Sequence, residues 1–373
     1  MGKKSKLKRE AETVKSLVKE TNAKIEELGN HDRDLYQALV QIQEQFDKIR
    51  NVPSDKQLEY QTIKKVSMTW KQHVDKIESD YEIAKKTDIG GGAAGTSLGI
   101  GVAAFGPTAA MGIATTYGVA STGTLISSLS GAAATNAALA WLGGGALSAG
   151  GGGMVAGEAL LGLAGPVGWT IAGISIISSI VLFWKAKSQR NRLTDIFLLI
   201  SHRDQNSYKQ SIVELNERIN RIINETFELQ EAINSIKRFG TDYNLMSESQ
   251  QYTLGSYVNL MNASTQLLVS PILGLQPKYT KRDLDSFIKK NSIVNVVADY
   301  SSKRKNLIVY LCNLLYKITT DEHDRKLLSK SFKGNKDFRK EMKLKKSDIN
   351  LDLFNTVNNA LNYLYNTNSI PNT

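Results

Sequence analysis

The stretch ATNAALAWLGGGALSAGGGGM, residues 134–154, holds seven glycines in 21 positions and no charged side chain. A phosphate loop of the Walker type would need GxxxxGK[ST], because a lysine must reach the phosphates and a hydroxyl must hold magnesium. No lysine stands between Lys86 and Lys185. A dinucleotide fingerprint would need GxGxxG, and after Gly99 and Gly101 the third glycine is replaced by Ala104. A flexible linker would be polar and serine-rich, whereas this stretch carries Leu139, Trp141, Leu142 and Met154. A piece of membrane is the reading that remains.

The window widens without losing that character. From Ile89 to Trp184, 96 residues, Glu158 is the only charged side chain, and 23 of the 29 glycines of the chain fall there. Soluble domains carry about a quarter charged residues. A lipid interior requires the absence of charge that a soluble core merely tolerates, and small residues there let helices pack closely. The clearest span is PVGWTIAGISIISSIVLFW, Pro166 to Trp184, whose 19 residues reach across most of a bilayer core at about 1.5 Å each. Trp169 and Trp184 stand toward its ends, where amphipathic rings favour the interface. A second candidate span runs from about Ser97 to Ala120, with Pro107 as a kink. Lys85 and Lys86 precede the block and Lys185, Lys187, Arg190 and Arg192 follow it. The positive-inside rule then puts both flanks in the cytoplasm and makes the crossings even, two or four. The opening residues are basic and lead into a polar helix, with no apolar signal core. They read as a lipid-touching or disordered tail.

The flanks read as helices. Val14, Val18, Thr21, Ile25, Leu28, Leu35, Leu39, Ile42, Phe46 and Ile49 follow a heptad seam that Asp32 breaches. Pro53 ends that helix, and Ser54 with Gln57 suggests a capping box for the next. There Trp70, Val74, Ile77, Tyr81 and Ala84 resume the seam, so the two helices form an antiparallel hairpin. Beyond the block Ile212, Leu215, Ile219, Ile222, Leu229, Ile233 and Ile236 keep register until Gly240. These coils are expected to set an oligomer. Residues 241–373 read as shorter helices, and no alternating pattern argues for a sheet. The expected fold is therefore all-α, in four parts: a hairpin at 1–88, two or four membrane crossings at 89–184, a coil at 185–240 and a basic helical domain at 241–373.

The formal charge of +11 is uneven. RKLLSKSFKGNKDFRKEMKLKK, residues 325–346, has ten basic and two acidic residues with Phe332 and Phe338 interleaved. Lys330, Lys333, Lys336, Arg339, Lys340, Lys343, Lys345 and Lys346 are the candidate contacts to an anionic ligand. Single-stranded DNA, through phosphates and base stacking, and anionic lipid both fit such a surface. A solvated helix face is the plainer reading. His31, His73, His202 and His323 stand far apart, and the lone Cys312 lies in an apolar run, so neither a metal site nor a nucleophile is expected, nor any cofactor. Glu158 is the residue that a membrane makes conspicuous. Within a pore it would form a cation-attracting ring, and in a turn it would simply meet water. Asn136 is a second pore-lining candidate, with interhelical hydrogen bonding as its alternative.

The glycine-rich stretch, continuing as VAGEALLGLAGPVGW, resembles a small-residue membrane segment of bacterial toxin and antiphage effectors. Its setting between coils, with a basic helical C-terminal domain, resembles the channel-forming effector of the Hailong defence system. The resemblance implies a homo-oligomeric channel of the bacterial inner membrane, held shut by a DNA oligomer that a partner nucleotidyltransferase makes. It makes the 325–346 region the ligand site. Two rivals stay open: an α-helical pore-forming toxin that hides its apolar block in a soluble monomer, and a membrane anchor that conducts nothing.

Overall fold

The structure is a computed structural model that describes residues 3–89, 107–118, 190–291, 302–336, 339 and 344–368. Every regular element among them is helical, in accord with the all-α expectation. Two helices exceed 40 residues: α1 (Lys3–Asp47) and α4 (Arg190–Ile236), with α2 (Ser54–Ile89) between them in sequence. Then come the short α3 (Pro107–Tyr117) and α5 (Glu248–Val269). Four smaller helices complete the described chain: α6 (Lys281–Asn291), α7 (Ser302–Leu315), α8 (Glu322–Gly334) and α9 (Leu351–Asn368).

The heptad residues form the seam of the bundle. Ile25, Leu28, Leu35, Leu39 and Ile42 are wholly buried on α1, as are Leu215, Ile222 and Leu229 on α4. The two helices run parallel. Gln205 Nε2 donates to Glu10 Oε2 at 2.8 Å near one end, and Asn51 Nδ2 donates to Asp242 Oδ1 at 2.9 Å at the other. At that second end Arg50 and Thr241–Tyr243 exchange two backbone hydrogen bonds. The seams expected to join separate copies therefore face each other within one chain. Burial of a continuous apolar stripe is what heptads provide, and a second stripe on the same chain satisfies it.

α2 folds back antiparallel on α1, as the sequence suggested. Trp70 meets Tyr36 at 5.5 Å between ring centroids, and Tyr60 stacks on Phe46 at 5.4 Å. The expected capping box does not form. Gln57 N donates to the Pro53 carbonyl, so Pro53 holds the cap position and Ser54 is already inside the helix. Asn51, at φ 62°, turns the chain between α1 and α2. The basic N-terminal residues, read as a tail, are the first turns of α1 from Lys3, and Leu7 is buried there.

α5 returns antiparallel along α4, where Ser264 Oγ donates to Glu225 Oε2 at 2.8 Å, and it also lies against α2. Although grouped by composition with residues 241–373, it belongs to the long bundle. Ser247 and Gln250 form a true capping box at its start. The helices α6–α9 make a compact unit around Leu307, Ile308, Cys312, Phe354 and Val357, all essentially buried. Cys312 sits there as a small apolar residue, its thiol pushed up by burial. The unit docks on the first turns of α4, where Arg192 grips Asp324 with Nε and Nη2 at 2.7 and 2.6 Å.

Candidate functional site: the seat of an apolar helix

α3 is the one described piece of the glycine-rich block. Pro107, expected as a kink inside a span, is the first residue of this helix, where its fixed φ and missing N–H cost nothing. Eleven residues extend about 16 Å, roughly half a bilayer core. No helix among the described residues is long and apolar enough to cross a membrane. Over its described part, 107–118, the expected span from about 97 to 120 is helical as far as Tyr117, and Gly118, at φ 71°, ends the helix there. The span at 166–184 lies outside the described residues.

α3 is sunk into the bundle against α1, α2 and α5. Ala110, Ile113, Ala114, Thr115 and Thr116 are almost wholly buried. The crossing with α1 is made backbone to backbone at two glycines. A Cβ on Gly29 would collide with the Thr108 carbonyl, and one on Gly112 with the Ile25 carbonyl. Glycine is required at both positions, since any side chain would hold the helix axes apart. The far end of α3 is fastened by polar contacts. Ile272 N and Gln276 Nε2 both donate to the Thr116 carbonyl, each at 2.9 Å, and Gly118 N turns back to Ala114 O. Burying Met111 and Ile113 contributes roughly 3–6 kcal/mol to this seat.

One group in the seat is poorly compensated. Asp32, the breach in the heptad seam, is completely buried beside α3, and neither carboxylate oxygen has a hydrogen-bonding partner. Thr115 from α3 and Arg218 from α4 are its polar neighbours. Neither closes a well-formed bond to it: the Thr115 hydroxyl is also unpartnered, and Arg218 Nη1 is drawn to the Leu267 and Ser270 carbonyls at 2.6 and 2.8 Å. Burial therefore holds the Asp32 carboxyl well above its usual range, against the smaller opposing effects of Thr115 and Arg218. The same burial lowers Arg218.

The residues singled out in the sequence are dispersed. Glu158, Asn136, Trp169, Trp184, Lys185, Lys187, Lys340 and Lys343 lie outside the described residues. Lys85 and Lys86 fall in the last turns of α2, and Arg190 is the first residue of α4. Arg192, expected at a membrane interface, pairs its half-exposed guanidinium with Asp324. Lys330 and Lys333 are exposed on α8, opposite its buried Leu327, Leu328 and Phe332. Lys336, Lys345 and Lys346 are exposed beyond that helix, while Arg339 is half-buried and its backbone N donates to Asn335 O. Phe332, proposed for base stacking, is in the core against Phe354 at 5.8 Å. The basic patch is thus a solvated helix face and the turn after it, without an exposed ring among its described residues.

Asp32 was visible in the sequence only as a break in periodicity. Gly29, three residues earlier, gave no signal, because its need arises from a helix about 80 residues away in sequence. No family model, curated protein or solved structure matches this chain.

Proposed function

We propose that this chain perforates membranes, and that it carries part of its apolar glycine-rich block folded away against a helical bundle until a bilayer receives it. The observation that supports this reading is α3, an apolar helix seated by two glycines in the core of the bundle. A segment built for permanent residence in lipid has no need of such a seat. The stowed arrangement therefore favours a pore former that inserts over a channel resident in the bilayer from the start. Assembly of several copies would let the small-residue segments 89–184 pack as a pore, with Glu158 in its path. The lysines of α8 and the following turn would meet anionic lipid headgroups or an anionic oligonucleotide. In a bacterial host such an activity is that of a toxic or antiphage effector.

The test locks the seat. A variant with Asp32→Cys and Thr115→Cys, in a Cys312→Ser background, is added to dye-filled liposomes before and after oxidation. Release by the reduced protein and none by the oxidised protein is expected. Equal release in both states overturns the stowing, and absence of release from wild type at every lipid composition overturns perforation.

A further inference from the structure

The docking of α6–α9 on α4 leaves a cleft of about 340 Å³. One wall is α4, with Arg203, Asp204, Asn206, Ser207 and Gln210. The other walls are the turn at Gly274 and Lys278 and the C-terminal end of α7 at Asn313, Tyr316 and Lys317. Three cationic side chains thus face one concavity, and its lining has no aliphatic side chain.

Two acidic groups stand at the cleft. Asp204 is buried in its lining, where Oδ1 accepts from Arg203 Nε and Nη2 at 2.9 and 2.7 Å while Oδ2 has no hydrogen-bonding partner, and burial pushes its carboxyl up against the opposing effect of Arg203. Glu214 accepts from the backbone N–H groups of Leu273 and Gly274 at 2.6 and 2.9 Å. Neither Lys278 nor Lys317 has a carboxylate within ion-pair distance among the described residues; Lys278 Nζ reaches only the Leu273 carbonyl, at 3.3 Å. Burial, reinforced by Lys317 and Arg203, pulls the Lys278 ammonium below its ordinary range in spite of Glu214.

The walls are fixed in advance. Asn313 Oδ1 accepts from Lys278 N and Tyr279 N at 2.9 and 3.0 Å, and its Nδ2 donates to Tyr279 O at 2.6 Å. Arg203 Nη1 donates to the Leu314 and Tyr316 carbonyls at 3.0 and 2.6 Å, closing the end of α7. Directly after that end stands Lys317 in the left-handed region, φ 57°, with its N–H donating to Tyr365 Oη at 2.7 Å. Glycine is the usual residue at such a position. A lysine accepts backbone strain in order to place an ammonium there, and strain of this kind gathers at functional sites.

We infer that this cleft binds a compact dianionic group, the phosphoryl of a small phosphorylated molecule or the carboxylates of a small organic acid, between Lys278 and Lys317. Its volume lies in the range of small-ligand sites, and a dianion would supply the charge that the two ammonium groups lack. The site is separate from the α8 lysines and does not depend on perforation of membranes.

The test is calorimetric titration of the full-length protein with inorganic phosphate, adenosine monophosphate and citrate at low ionic strength. Saturable binding of phosphate or citrate is expected, weakened about tenfold by Lys278→Met and somewhat less by Lys317→Met. Adenosine monophosphate and phosphate binding without citrate identifies the phosphoryl source, and citrate alone the carboxylate source. A Lys330→Met, Lys333→Met double variant should bind as wild type does. Circular dichroism checks that each variant keeps its helices. The inference is overturned by no saturable binding of any probe, by binding indifferent to Lys278→Met and Lys317→Met, or by loss of binding in the Lys330, Lys333 variant.

Discussion

α1 makes two long contacts of opposite construction. Against α4 it presents Leu35, Leu39 and Ile42, and the helices meet through side chains along a parallel seam. Against α3 it presents Gly29, and the backbones meet with nothing between them. The first contact draws its strength from many interlocked apolar groups. The second depends on two missing side chains and tolerates a buried carboxylate that lacks partners. A seam of the first kind fails only when the bundle unfolds. A seat of the second kind can fail alone, because one added methyl or one buried charge acts directly on it.

The largest effect is expected at the seam. Leu39→Ala, at a wholly buried position, removes apolar contacts and leaves a cavity at a cost of about 2–5 kcal/mol. Urea unfolding followed by circular dichroism should show the whole bundle destabilised in one transition. A midpoint unchanged from wild type would mean that α1 and α4 are not the structural pair described.

Gly112→Ala comes next and should act differently. Its Cβ collides with the Ile25 carbonyl, so α3 must move out, forfeiting much of the roughly 3–6 kcal/mol from Met111 and Ile113. Hydrogen exchange should rise across residues 107–118 while the α1 and α4 seam keeps its protection. Uniform loss of protection would erase the distinction between the two contacts.

Asp32→Asn sharpens the comparison through pH. The folded carboxyl is raised above its unfolded value, so the folded state holds the proton more tightly. The stability of the seat is then fully present below the ordinary carboxyl value of about 4 and is lost as pH rises toward the raised folded value. At pH 8 the asparagine variant should melt about 2–4 °C above wild type, with little difference at pH 4. Identical melting curves at both pH values would show that Asp32 imposes no strain.

The smallest effect concerns the docking of α8 on α4. The Arg192 guanidinium beside Asp324 holds that carboxyl below the usual range. Its contribution is present above the ordinary value of about 4 and is lost as pH falls through the depressed folded one. Protection from hydrogen exchange across residues 322–334, corrected for the intrinsic exchange rate at each pH, should therefore fall below pH 4 in wild type and already at pH 7 in Asp324→Asn. Equal protection of the two proteins at pH 7 would show that the ion pair does not hold the unit in place.

What could be read directly were features whose cause lies within a few residues. The heptad positions of α1 and α4, the turn after α1 and the close at Gly240 follow from spacing. Pro107 was visible as a helix punctuation mark, but whether it kinked a long span or opened a short helix depended on what packed against it. Phe332 looked available for stacking until the core formed around Phe354. Asp32 stood out as a wrong residue in a seam, yet its neighbours Thr115 and Arg218 lie far away in sequence.

By itself, then, the sequence determined that the chain is helical, that long seams exist and that a 96-residue block carries a single charge. Periodicity and composition are local quantities, and helices respond to them locally. Only the tertiary structure decided which seam meets which, that α3 lies in the bundle and that Arg203, Lys278 and Lys317 converge on one cleft. Those arrangements depend on backbone approach and on charges from separate elements, and residue spacing encodes neither.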